Sequence, residues 1–403
     1  MGNAVSRTWT WRFDAPVDLV WTALADTARF NEAAAFPKHR IQDQPQQDGS
    51  VIYTGHAKIG PFRVDWRELP VDWVANQRFR HARLFEHGPL RSLAATLALY
   101  PEGSAEGSGC RADYTIEVEP ANLLGRLILA TGFLARVGRT ASRLAGETAA
   151  WAAARAEQPF RFPPAALTAE ARARLASLLN RLIEMGRDPA LVRRLGAFII
   201  EAPEVDLLHL RPRRLAGMWR VAERDVIELC LWAAKLGLLE MRWELLCPNC
   251  RGPKLAVASL DRLPEGAHCN TCNIDYGRDF ARNVEITFRP SSAIRRIEDG
   301  EFCLFGPMTT PHVVVQQTLA PGETRELPAR LAPGDYRLRG LHPGGEALIR
   351  WDGGGFPELV VEADGVRAGP PSSEGAAAEG IVRLVTRSSR EVTVVIESRE
   401  WVR

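Results

Sequence analysis

Two Cys-x-x-Cys pairs, Cys247/Cys250 and Cys269/Cys272, restrict the middle of this chain more than any other feature. Each pair forms a tight knuckle that aims two sulfurs at one point. The interval between them, residues 251–268, falls within the spacing of four-thiolate zinc sites. Pro248-Asn249 and Asn270-Thr271 are turn residues suited to such knuckles, and Gly252-Pro253 and Pro264-Glu265-Gly266 punctuate the strands between them. Four thiolates complete a tetrahedron and leave no open position, so the expected ion is a structural Zn2+ rather than a reaction centre. A redox dithiol needs only one such pair, at a helix N-terminus in a thioredoxin-like context, and that context is missing. The expectation is a four-cysteine zinc ribbon over residues 246–282.

At 403 residues, with 46% hydrophobic and 25% charged residues, the chain has the balance of an ordinary multidomain globular protein. A net charge of +2 argues against general affinity for nucleic acid. No apolar run approaches the roughly 18 residues that suggest a membrane span, and the polar start at Met1–Thr10 is unlike a secretory signal. Of seven cysteines, Cys110, Cys230 and Cys303 stand outside the paired motifs, which fits a reducing, cytoplasmic compartment better than a disulfide scaffold.

Residues 1–158 read as one α+β unit. Thr8–Phe13 alternates like a strand. Asp14 then caps a helix with Pro16 in its first turn, and Val17, Val20, Trp21 and Leu24 form its apolar stripe. Strands are expected at Val51–His56, Phe62–Leu69, Arg78–Leu84, Leu90–Tyr100 and Cys110–Glu119, with a hairpin loop at Pro101–Gly109. One long helix is expected from Asn122 to about Arg155, interrupted but not stopped by its glycines. A curved sheet that wraps a helix leaves a cavity between them. Phe13-Asp14-Ala15-Pro16-Val17-Asp18-Leu19-Val20-Trp21, followed by Leu24-Ala25-Asp26 and the long terminal helix, resembles the START-like (SRPBCC) helix-grip superfamily. That resemblance implies binding of an apolar small molecule or lipid; a minority of members catalyse cyclisations. Trp21, Tyr53, His56, Trp66 and His81 are the expected ligand-facing residues.

Pro159-Phe160-Arg161-Phe162-Pro163-Pro164 reads as a linker, residues 159–166, because paired prolines stop helices. A small helical, winged-helix-like segment is expected over 167–245, with Thr168 capping its first helix. Arg211, Arg213 and Arg214 give it a basic flank that a DNA-reading module would use on phosphates. Glu223, Asp225 and Glu228 interrupt that charge, so a solvated face is the plainer reading.

Residues 283–403 are patterned for an antiparallel β-sandwich, with Val284–Phe288 the first strand and Gly365–Gly380 a loop. Leu246–Cys250, Cys269–Cys272 with Ile274-Asp275-Tyr276, Phe288-Arg289-Pro290, Phe302-Cys303, Pro311-His312-Val313 with Gln316, and Pro333–Leu338 together resemble a domain of unknown function. It is found upstream of bacterial class III adenylate/guanylate cyclase catalytic domains, and the resemblance covers roughly 165–403. Glu400–Arg403 stands about where such a catalytic domain begins in those proteins.

No segment supplies the two metal-binding aspartates of a class III cyclase, and no P-loop, dinucleotide loop or G-x-S-x-G elbow is present. The expected chain is therefore a multidomain α+β, non-catalytic sensory and regulatory region. Its expected partners are an apolar ligand and a class III cyclase catalytic domain in cis or in trans, the intact parent being a nucleotide cyclase (a phosphorus-oxygen lyase). A homodimer is left open, and nucleic acid is not the expected partner. The alternatives are a ligand-responsive DNA-binding regulator and a cyclase/aromatase-type enzyme acting through a polar cavity residue such as His56 or Tyr53.

Overall fold

A computed structural model describes residues 4–46, 51–59, 62–103, 109–154, 156–269, 272, 274–298, 300, 302–303, 306–342, 345–362, 365–371 and 380–400. The centre of the Pro101–Gly109 turn, the knuckle residues Asn270 and Thr271, part of the Gly365–Gly380 loop and Trp401–Arg403 lie outside these. The chain divides into two compact units, Met1–Pro159 with Asn270–Ile274 and Gly300–Arg403, and Phe160–Cys269 with Asp275–Asp299.

The first unit opens with β1 (Val5–Phe13), α1 (Val17–Leu24), α2 (Thr27–Ala33), β2 (Arg40–Pro45), β3 (Val51–Ile59), β4 (Phe62–Glu68), β5 (Asp72–Val74), β6 (Arg78–Phe85), β7 (Leu90–Glu102), β8 (Gly109–Pro120), α3 (Leu123–Ala130) and α4 (Phe133–Ala154). The five strands expected after α1 are present; β2, β5 and α2 are additional. Pro16 occupies the N-cap of α1 without a side-chain hydrogen bond, so Asp14 is not its cap. The single terminal helix is in fact two. Gly132 has φ +86°, a left-handed conformation that breaks the i→i−4 ladder between α3 and α4. Alternation on β7 and β8 sends Ala95, Ile116 and Val118 to a core that Leu134 of α4 completes. Close approach there depends on glycine: a Cβ on Gly138 of α4 would fall 2.3 Å from the Trp9 indole.

The second unit contains α5 (Ala169–Glu184), α6 (Pro189–Glu201), α7 (Glu204–Leu207), α8 (Pro212–Trp219), α9 (Glu223–Lys235), β9 (Leu239–Leu246), β10 (Pro253–Val257), β11 (Gly266–Cys269), β12 (Ile274–Gly277) and β13 (Val284–Pro290), with Ile274 itself grouped in the first unit. Thr168 caps α5 by accepting from the Ala171 amide. The helices and β9 bury one core that includes Leu182, Leu195, Ile199, Leu207, Leu229, Leu238 and Phe288. The strand at Val284–Phe288, expected to open the C-terminal region, pairs with β9 instead, with Phe288 opposite Met241.

The C-terminal part of the first unit adds β14 (Val313–Leu319), β15 (Thr324–Pro328), β16 (Gly334–His342), β17 (Glu346–Trp351), β18 (Pro357–Glu362), β19 (Gly365–Pro371), β20 (Ile381–Thr386) and β21 (Val392–Ser398). β14, β21, β16 and β17 continue the N-terminal sheet. The order is β1-β8-β7-β6-β5-β14-β21-β16-β17, with β2, β3 and β4 branching from β6, for twelve antiparallel strands in all. The joint is short: Val74 faces Val315 and Trp73 faces Gln316. Buried polar groups reinforce it, because Trp73 Nε1 donates to the Val313 carbonyl (3.0 Å) and Gln316 Nε2 to the Val71 carbonyl (2.7 Å). A second sheet, β15-β20-β18-β19, shares a core with this extension through Leu338, Leu359, Val361, Leu384 and Ile396. It is not wholly antiparallel, since β18 and β20 run parallel. The expected loop at Gly365–Gly380 begins as a strand, β19.

Candidate ligand cavity and metal centre

Between α1, α2 and the strands of the first unit lies a small cavity. Trp11, Phe30, Phe79 and Tyr114 supply its aromatic walls, Leu24 and Leu97 its aliphatic ones, and Thr27, Asn31 and His81 its polar atoms. The rings pack in register: Trp11 stacks on Tyr114 at 6.0 Å, and Phe30 leans on Tyr114 at the same distance. Asp26, whose carboxylate accepts from the Arg29 amide at 3.1 Å, starts the helix that carries Thr27, Phe30 and Asn31. Phe79 and His81 are two residues apart on β6 and so face the same side.

The cavity is closed down. Its volume is about 20 Å³, room for one or two waters, so an organic ligand must push its walls apart. No side chain on the lining is an ordinary ion. Burial first, then the charges of Arg83 and Arg80, pushes His81 down to about 3, and the ring is neutral at pH 7. Burial also raises the Tyr114 phenol above its usual range. The Thr27 hydroxyl and His81 Nδ1 are shielded from solvent without a hydrogen-bond partner.

Of the five ligand-facing residues expected, only His81 lines this cavity. Trp21 is buried behind it, edge-on to Phe79 at 6.1 Å. Tyr53 is half-buried on β3. His56 pairs across the strands with Asp65 (2.6 Å), which also takes Arg63 (3.1 Å). Trp66 gives its Nε1 proton to Glu68 (2.6 Å), lies under the Arg83 guanidinium and fills the space that a Gly55 side chain would take. It also meets His39 edge-on. His39 is 4% exposed; burial and then Arg83 push it down to about 4, against a raising contact to the Pro37 backbone.

These two histidines set a pH dependence. An unfolded chain protonates both near 6.5, whereas the folded chain holds His39 neutral to about 4 and His81 to about 3. Their contribution is complete above 6.5 and is lost as pH falls toward 4, by about 1.4 kcal/mol per pH unit for each histidine at most. Thermal unfolding midpoints should drop from pH 7 to pH 4.5, and the double substitution His39→Gln, His81→Gln should flatten the drop. An equally steep drop in that variant would place its source elsewhere.

The four paired cysteines do come together. Their Sγ atoms lie within 4.8 Å of one another, all four are buried, and none is in a disulfide. Cys250 Sγ and Cys269 Sγ are 3.8 Å apart, which is the edge of a tetrahedron whose metal–sulfur bonds are about 2.3 Å. The first knuckle is closed by backbone: the Arg251 amide donates to the Cys247 carbonyl (2.9 Å) and the Cys247 amide to the Gly252 carbonyl (3.0 Å). Arg251 takes a left-handed φ of 56° to make that turn. This donor set could hold one tetrahedral metal ion. His268 points elsewhere, to Asp275 at 2.9 Å.

The arginines of the DNA-reading alternative are each engaged by acid. Arg211 meets Glu285 (3.3 Å), Arg213 meets Glu223 (3.2 Å), and Arg214 meets Asp206 (2.8 Å). Glu223, Arg224 and Asp225 share the exposed start of α9, a mixed surface rather than a phosphate-binding one.

Comparison with known proteins adds a family and a set of distant folds. Residues 172–302 match the model of a family of unknown function, DUF5939. No curated protein matches the chain. Among solved structures, the Zhui aromatase/cyclase from Streptomyces sp. R1128 is 15% identical, over 30% of this chain and 70% of that one, with a TM-score of 0.22. Norcoclaurine synthase from Thalictrum flavum is 17% identical over 36% and 87%, with a TM-score of 0.25. A START superfamily protein from Mycobacterium smegmatis is 13% identical over 34% and 94%, with a TM-score of 0.23. Likeness at this level says nothing about what the present chain binds. Among the described residues, no helix is long and apolar enough to cross a membrane.

Proposed function

We propose that this chain is a non-catalytic, ligand-binding regulatory region. Its N-terminal helix-grip part takes up a neutral, largely apolar molecule, a four-thiolate Zn2+ staples its central ribbon, and its output acts on a class III nucleotide cyclase catalytic domain, in cis or in trans. The observation that carries the reading is the aromatic cavity. Once its walls part, a flat ring would meet the aromatic faces of Phe30, Phe79 and Tyr114, whereas an ion would meet no countercharge on the lining. The resemblance of residues 165–403 to the cyclase-associated domain supports the cyclase assignment. The zinc would supply cohesion rather than chemistry, since Cys247, Cys250, Cys269 and Cys272 fill its coordination.

A short route favours coupling within the first unit. Asn31, on the cavity wall, donates to the Phe302 carbonyl at 2.8 Å, and Gly306 sits so close to Thr27 that a Cβ would fall 2.2 Å from its hydroxyl. A ligand that shifts α2 therefore disturbs the segment leading into β14. Binding changes output only if the ligand prefers one of the two arrangements.

2-Naphthol serves as a probe. It should raise the unfolding midpoint, with a stabilisation of about 2.7 kcal/mol at 100 times its dissociation constant, and Leu97→Trp, which fills the cavity, should abolish the effect. In a protein carrying the catalytic domain, the probe should alter the cyclase rate. A rate indifferent both to the probe and to deletion of residues 1–158 would sink the regulatory role.

A further inference from the structure

α3 is built inside out for a helix in water. Its sequence is Leu-Leu-Gly-Arg-Leu-Ile-Leu-Ala, yet the one residue it buries is Gly125. Leu123 is 79% exposed, Leu127 59% and Leu124 44%. The cause is local. A Cβ at position 125 would fall 2.0 Å from the Pro89 carbonyl oxygen, so the helix presses its glycine edge onto the sheet and turns Leu123, Leu124 and Leu127 outward, while Leu129 packs on the core. Asn122 fixes its start by accepting from the Gly125 amide (3.0 Å) and donating to the Gly88 carbonyl (3.2 Å), and Gly132 fixes its end. The apolar face is thus held in place, not a frayed segment. Contiguous exposed leucines of this kind mark an interaction surface.

The charge around the face selects the partner. From Ala121 through Gly146 the chain carries Arg126, Arg136, Arg139 and Arg143 and no aspartate or glutamate. Arg126 and Arg139 are exposed and meet no carboxylate among the described residues. Arg136 bonds the Thr131 carbonyl, and Arg143 is committed to Glu147 at 2.6 Å. The acid just before the helix, Glu119, is countered by Arg91 at 3.6 Å; Glu86, in the adjoining β6–β7 turn, is the acid on that side. Exposed leucines with Arg126 on the same short helix and Arg139 on the next one, α4, form the pattern of an element that lies in the headgroup layer.

We propose that α3 docks this protein on the surface of membranes containing anionic lipids, with Leu123, Leu124 and Leu127 entering the acyl boundary and Arg126 and Arg139 pairing with lipid phosphates. The contact is peripheral and independent of the cavity's occupant.

Co-sedimentation of the full chain with vesicles tests this. The protein should pellet with phosphatidylcholine vesicles containing phosphatidylglycerol, should stay in solution with pure phosphatidylcholine, and should be released as salt rises from about 0.1 to about 0.5 M. The substitution pair Arg126→Ala and Arg139→Ala should weaken binding about 25-fold, roughly fivefold per arginine at an anionic surface. Leu123→Ser with Leu127→Ser should weaken it at least as much. These side chains are exposed, so circular dichroism should show both variants folded. Failure of the wild-type chain to pellet with the anionic vesicles overturns the proposal, as does equal pelleting of the folded variants. A dimer by light scattering that the leucine pair disperses would assign the face to a second copy and also overturns it.

Discussion

Serine at Cys250 and Cys272 is expected to cost the protein its central ribbon. Purified wild-type chain should contain about one zinc per molecule by elemental analysis, and the double variant none. Structural zinc contributes about 10–16 kcal/mol in small zinc-binding peptides near neutral pH, comparable to or larger than the roughly 5–15 kcal/mol by which whole domains are stable. The consequence should therefore be unfolding of the strands around the knuckles, not a small shift. Amide exchange is the direct readout, and β10, β11 and β12 should lose protection. The helical core around Leu182, Leu195 and Ile199, which does not include the cysteines of the cluster, should retain much of its own. Because the cysteine thiols must lose their protons to bind the metal, acid should release it as well. Protein that is folded, fully protected and free of zinc as purified would refute the assignment.

The second large effect is expected at Glu397 on β21. Its side chain is 2% exposed and lies against two guanidinium groups, Arg337 Nε at 2.5 Å and Arg339 Nη2 at 2.7 Å, with His312 Nε2 at 3.6 Å. At 3.6 Å His312 is a close neighbour rather than a good hydrogen bond. Burial alone would raise this carboxyl, but His312, Arg339 and Arg337 outweigh it and hold it down to about 2. The group is ionised at any working pH, and its stabilisation fades only as pH falls from about 4.5 through 2. Glu397→Gln keeps the shape and removes the charge, which strands Arg339, itself 7% exposed. Breaking one side of a buried pair costs about 3–5 kcal/mol, and chemical denaturation should show a loss of that size. Arg339→Met in the Glu397→Gln background should recover part of it, because the stranded cation is then gone. A loss below about 1 kcal/mol would mean that water reaches the cluster. Arg339 also donates to the Cys272 carbonyl at 2.5 Å, a backbone contact that the sequence pattern does not announce.

Several elements were legible without coordinates because their signals are local. Period-two alternation gave β1 and β4, runs bounded by turn-rich pieces gave β3, β6, β7 and β8, and Thr168 announced α5 through its side-chain cap. Others were hidden for identifiable reasons. β5 is three residues long and offers no period to read. The break between α3 and α4 depends on Gly132 adopting a left-handed φ, which a glycine permits but does not require. β13 alternates as expected but pairs with β9, a choice made by long-range backbone partners. The cavity was the least legible feature. Trp11, Phe30, Phe79 and Tyr114 come from four elements distant in sequence, and Trp66, which looked equally suitable on its strand, is tied to Glu68 and Arg83 instead. The Phe79/His81 alternation was the one signal that could have pointed to the wall.

By itself, the sequence determined which four cysteines converge, because two knuckles at the right spacing leave the sulfurs little choice of partner, and it determined the strand and helix periods that make this an α+β chain. Tertiary structure decided the rest. It joined the N-terminal strands to the C-terminal ones through Val74 and Val315, it chose which face of each strand meets the cavity, and it turned Leu123, Leu124 and Leu127 of α3 outward. The physical reason is the same in each case. Periodicity and capping depend on neighbours three or four residues away, whereas strand pairing, cavity lining and helix docking depend on which distant backbone or ring arrives at contact distance.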